Sequence, residues 1–130
     1  MTFDRLMILA SIFVYGAIGI GFILAPQALG GVVGIELTNT TAHNDFRAVY
    51  GGVPAGLAVF FVMALRRREW TLPALWTIVL TLGGLAASRA YSWIVDGWPG
   101  PVAYLLHGAE IGGVLLTLLA IRQATRTVEG

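Results

Sequence analysis

Residues 6–25, LMILASIFVYGAIGIGFILA, carry no charge, and only Ser11 and Tyr15 bring a polar side chain. A helix of this length rises about 30 Å, which matches the hydrocarbon core of a bilayer. No polar stripe interrupts the run, so it is not the amphipathic helix of a soluble domain. The stretch is expected to span a membrane.

Three more predominantly apolar segments of similar length follow, at about residues 43–65, 72–95 and 101–121. Their boundaries are marked by Pro26, by Arg66-Arg67-Arg68-Glu69, and by Asp96-Gly97-Trp98-Pro99-Gly100-Pro101. Pro73 and Pro101 suit first helical turns, where a missing N–H costs nothing. The expected fold is an all-α integral membrane four-helix bundle, a single transmembrane domain over residues 1–130.

Composition agrees. Of 130 residues, 57% are hydrophobic and 12% charged, more apolar surface than a soluble chain of this size can bury. Cysteine is absent, which excludes disulfides, iron–sulfur clusters and thiolate metal sites. Eight basic residues, all Arg, nearly balance seven acids, so charge makes no case for nucleic acid. The expected partner is the lipid bilayer.

The first connection, residues 26–42, joins an apolar part (Leu29 to Leu37) to a polar one (Thr38 to Thr41), as in a short interfacial helix or re-entrant turn. The N-terminal apolar run exceeds a signal-peptide core, and Ala25-Pro26-Gln27-Ala28 is a poor cleavage site. It is kept as a span. Arg5, Arg66, Arg67, Arg68, Arg122 and Arg126 all fall on one side of the four spans. The positive-inside rule then places both termini in the cytoplasm, an N-in/C-in protein expected in an inner (plasma) membrane. Trp70, Trp93 and Trp98 fall at span ends, where indoles anchor to the headgroup region.

Ionisable groups inside a span are costly and need a partner or a path to water. The candidates are Arg47, Arg89, His107 and Glu110, each roughly 7 to 14 Å in from the outer end of its helix at the α-helical rise. Three helices thus bring charges to one level, and an Arg47/Arg89/Glu110 network is expected there. Asp96 or Asp45 would supply a second negative charge, and Tyr50, Tyr91 and Ser92 the remaining donors and acceptors. Arg47 with Tyr50, and His107 with Glu110, are i, i+3 neighbours.

A buried ion pair often fixes helix register and performs no chemistry. The cluster therefore has three readings: structural glue, a site for a lipid or small anionic ligand, or acid–base catalysis by Glu110 or Asp96. His107 and Glu110 alone do not make a metal site of the three-ligand type, and neither metal nor cofactor is expected. Small residues four apart, Ala17/Gly21, Gly52/Gly56, Gly84/Ser88 and Gly108/Gly112, look like close-packing seams. Pro54 is expected to kink the second span.

Arg47-Ala48-Val49-Tyr50-Gly51-Gly52, Ser88-Arg89-Ala90-Tyr91-Ser92, Asp96-Gly97-Trp98-Pro99 and Glu110 resemble the pattern of the DUF4345 family of small bacterial four-helix membrane proteins. That pattern has Arg then Gly-Gly, Gly-Arg-x-x-Ser, Asp-Gly-x-Pro and a Glu in the last helix, and Ser88 stands where Gly is usual. The resemblance implies that the Arg, Asp and Glu positions share one design, and it implies no activity. A looser architectural similarity to DoxX-like four-helix proteins says nothing of function. The leading expectation is a non-enzymatic accessory subunit of a membrane complex, or a self-associating homo-oligomer. The alternatives are a lipid-, small-molecule- or proton-handling protein and an intramembrane acid–base enzyme.

Overall fold

The computed structural model describes residues 1–129, with side chains through Thr125; the Arg126 side chain, used above for orientation, lies outside them. Helix α1 runs Phe3–Leu24, α2 Pro26–Val32 and α3 Thr40–Phe46. A π-helical turn at Arg47–Gly52 then leads without a break into α4, Val53–Arg66. After a 3₁₀ turn at Arg68–Trp70 come α5, Thr71–Val95, and α6, Pro101–Glu129. No strand occurs among the described residues, and four helical stretches are long and apolar enough to cross a membrane.

The second stretch starts at Thr40, earlier than the apolar run, because Asn39 caps it: its Oδ1 accepts the Ala42 N–H at 2.9 Å. The first connection does hold a short helix, α2. Gly34, at φ 78°, reverses the chain after it, and the Ile35 N–H returns to the Gly30 carbonyl at 2.9 Å. Gln27 Oε1 accepts the Leu37 N–H and pins the far end of the loop. The connection therefore has a defined shape.

Pro54 gives the second stretch its irregularity. Lacking an N–H, it cannot bond the Tyr50 carbonyl, and the Val53 N–H reaches back five residues to Ala48 instead. The extra residue turns Gly51 toward α1. A Cβ on Gly19 would lie 2.6 Å from the Ala55 nitrogen, and one on Gly51 2.7 Å from Ile23 Cγ1. Two backbones approach this closely only because both positions are glycine.

Of the seams expected at four-residue spacing, Gly21 is closely approached, a Cβ there lying 2.9 Å from Leu29 Cδ1. Gly56, Gly84, Gly108 and Gly112 face open space within the chain, and the close backbone contact pairs Gly19 of α1 with Gly51 of the π-helical turn. Spacing along one helix cannot say which face meets a neighbour.

The shared core of Ile8, Phe61, Ala64, Ala74, Leu75, Ile78 and Ala120 sits toward one end of the molecule. Arg5 belongs to that end, where its guanidinium donates to the Leu65 carbonyl at 3.2 Å, closing α4 against the start of α1. Tyr15, midway along α1, meets Thr81 of α5 at 2.6 Å. Thr81 already donates to the Thr77 carbonyl at 2.8 Å, so Tyr15 is the donor. The buried cluster holds no described residue of α1 beyond this level, and the most extensive pairings are α1 with α4 and α5 with α6.

Gly19→Ala is expected to lower stability by about 1–3 kcal/mol through overpacking, whereas Gly56→Ala changes it by less than about 0.5 kcal/mol. Reversible unfolding in mixed detergent–SDS micelles measures both. Equal effects would remove the close approach as the determinant of α1/α4 packing.

Candidate functional site: a neutral ion pair beside an open cleft

Tyr15 and Thr81 set α1 and α5 in parallel register. Eight residues further along each helix stand Ile23 and Arg89, about 12 Å beyond that contact at the α-helical rise. Arg47 and Glu110 come to this same level from the antiparallel partners α4 and α6. The charges do share one depth, but they divide between the two helix pairs.

Arg89 Nε donates to both carboxylate oxygens of Glu110, at 2.8 and 3.0 Å. Arg47 Nε donates instead to the Ile23 carbonyl at 2.9 Å. Ile23 lies in the last turn of α1, where carbonyls have no intrahelical partner, so Arg47 caps that helix and favours its negative end. The expected three-membered network is thus one ion pair, Arg89–Glu110, and one helix cap. Both arginines satisfy the cost of being apolar-embedded, by different means.

The remaining candidates separate in the same way. Ser92 donates to Asp96 Oδ2 at 2.7 Å, a local bond one turn apart that closes the end of α5 and does not reach Glu110. Tyr50 stacks on Phe46 at 4.3 Å and lies 5.6 Å from Phe22, which joins it to the α1/α4 side. Tyr91 is exposed. His107 lies one rung beyond the ion pair on the α5/α6 seam, its ring 4.6 Å from Trp93, which also touches Tyr104 and Trp98. Its Nδ1 is enclosed and makes no hydrogen bond. Trp93 is therefore a packing residue of this seam as well as an edge aromatic.

Glu110 is 6% exposed, and Arg89 is its one charged contact among the described residues. The Arg89 side chain is 31% exposed. Only its Nε is used, and its two terminal nitrogens make no hydrogen bond with any described residue. Arg89 borders a cleft of about 320 Å³ walled also by Val32 and Val33 at the end of α2 and by Pro101, Val102 and Leu106 of α6. A second cleft, with Phe3, Arg5, Arg68 and Leu72, lies at the opposite end. No group of three or more His, Cys, Asp or Glu side chains converges among the described residues.

Sequence reasoning missed the walls of the Arg89 cleft. Val32 and Val33 carry no polar signal, and only the Gly34 turn and the Gln27 bond bring them over α6. The glycine at φ 78° and the lone Gln in an apolar connection are the traces the sequence holds.

The described residues form an all-helical structure with four apolar helices long enough to cross a membrane, an internal ion pair and an arginine-bordered cleft, the features of a helical membrane protein. Its family is shown directly, since the DUF4345 profile, described as "Domain of unknown function", matches residues 3–121. The chain belongs to the DUF4345 family. No curated protein and no solved structure matches it.

Arg89→Met leaves a buried carboxylate without its partner and is expected to cost about 3 kcal/mol, while the double variant Arg89→Met/Glu110→Leu is expected to be neutral or stabilising. The same micellar unfolding assay reads both. A double variant as unstable as the single one would mean that the pair is required as structural glue.

Proposed function

We propose that this protein is a non-enzymatic four-helix bundle of the bacterial plasma membrane, with both termini in the cytoplasm, that binds a small anionic amphiphile at Arg89. The observation that carries this reading is the Arg89 cleft. An arginine whose terminal nitrogens are unengaged borders a space whose other walls are almost wholly apolar. Such a space fits a ligand with one acceptor-rich head and a hydrocarbon body. Guanidinium nitrogens bind carboxylate, sulfonate or phosphate oxygens in pairs, which a lysine does not reproduce.

Orientation rests on Arg5, Arg66, Arg67, Arg68 and Arg122 gathering at the end opposite the cleft. The cleft then opens on the outer leaflet, roofed by α2. The apolar outer surface has its partner in lipid chains, so the accessory-subunit reading has no observation specific to it. Catalysis by Glu110 or Asp96 is disfavoured because Glu110 is occupied by Arg89 and Asp96 by Ser92.

Dodecyl sulfonate, whose head stays anionic at any ordinary pH, is expected to bind the protein in nanodiscs of zwitterionic lipid. Arg89→Gln is expected to weaken it about ten- to a hundredfold, the worth of a charged hydrogen-bond pair. Arg47→Gln, whose wild-type residue caps α1, is expected to leave affinity within about twofold. Reporter fusions at either terminus should both read cytoplasmic. Equal affinity of wild type and Arg89→Gln would exclude the cleft as the site.

A further inference from the structure

Charge balance at the cleft has a consequence for how it can be filled. Arg89 and Glu110 together are neutral, and Glu110 is 6% exposed inside an apolar helix pair. An anion joining Arg89 would leave the site with one uncompensated negative charge at a depth where charge is expensive to bury. No second cation contacts the carboxylate among the described residues to offset it. From α5 only Arg89 touches the carboxylate; on α6 the nearest titratable group is His107, three residues away and packed on Trp93. From the α1/α4 pair, Arg47 donates through Nε to the Ile23 carbonyl and does not line the cleft, and no titratable group of α1, α2, α3 or α4 contacts Glu110 among the described residues.

We infer that each anionic amphiphile entering the Arg89 cleft carries one proton onto Glu110, so that binding is a coupled, electroneutral event. The inference rests on the binding function proposed above. The step balances: ligand anion, proton and the Arg89⁺/Glu110⁻ pair become a ligand–Arg89⁺ pair and a neutral Glu110 carboxylic acid. No bond other than the new O–H is made. The same result follows whether the ligand head occupies the terminal nitrogens beside Glu110 or displaces it from Nε, since either way a buried carboxylate loses its exclusive cation. Affinity therefore falls as pH rises, by up to about tenfold per unit where one proton is taken up.

Isothermal calorimetry with dodecyl sulfonate tests this, using the whole protein in nanodiscs of zwitterionic lipid and two buffers of different ionisation enthalpy. The sulfonate cannot take up the proton, so any uptake belongs to the protein. Wild type is expected to show uptake approaching one proton per ligand in part of a pH series. Glu110→Gln is expected to bind at least as tightly, with no uptake and no pH dependence. Wild-type binding without proton uptake at every pH would overturn the coupling and leave the binding function standing. Absence of wild-type binding at every pH would overturn both. Persistent uptake by folded Glu110→Gln would overturn Glu110 as the acceptor, and the wild-type proton count stands as a test even if that variant does not fold.

Discussion

Arg89 and Glu110 meet at 2.8 Å, with the carboxylate enclosed among apolar side chains and the arginine its partner. An isolated charge at mid-membrane costs about 2.5–3.5 kcal/mol or more, and two on facing helices would cost roughly double. Contact recovers much of that penalty and imposes a condition on everything around it. α5 and α6 must lie antiparallel, in the register that puts residues 89 and 110 side by side, and no third charge can enter unbalanced. Much of the upper half of the molecule is a way of meeting that condition.

Lipid supplies no hydrophobic drive to bring helices together, so register is set by shape and by hydrogen bonds. In this protein the two means are segregated. Glycine at 19 and 51 lets α1 and α4 touch backbone to backbone, with Pro54 supplying the π-turn that aims Gly51 inward. The Tyr15–Thr81 bond then ties one pair to the other, next to the large side chains of the common core. Below that tie the four helices pack as one body. Above it the buried cluster stops, and the end of the short helix α2 walls one side of the Arg89 cleft.

This division explains what could be read from the chain and what could not. Helix number, the location of the spans and the shared level of Arg47, Arg89 and Glu110 are consequences of length and rise, which are one-dimensional quantities. Pairing is not. Arg47 and Arg89 look alike in sequence, and only rotation about the helix axes decides that one faces a carboxylate and the other the frayed end of α1. Most of the small-residue seams face open space within the chain for the same reason: spacing of four puts residues on one face without saying which face meets protein. Gly51 contributes through a helical irregularity, and an ideal rise and twist cannot place it.

A tight end and a divided end together make a structure that is stable without filling its whole interior. Were the large-residue core continued past Tyr15, Arg89 would be enclosed and its terminal nitrogens would need partners from the protein itself. Were the core shorter, two helix pairs with little mutual contact would have only a hydroxyl bond between them. The protein sits between these limits. Its ion pair is buried enough at Glu110 to require neutrality and open enough at Arg89 to be reached, and those two exposures on a single pair favour a site for an anion over a purely structural lock.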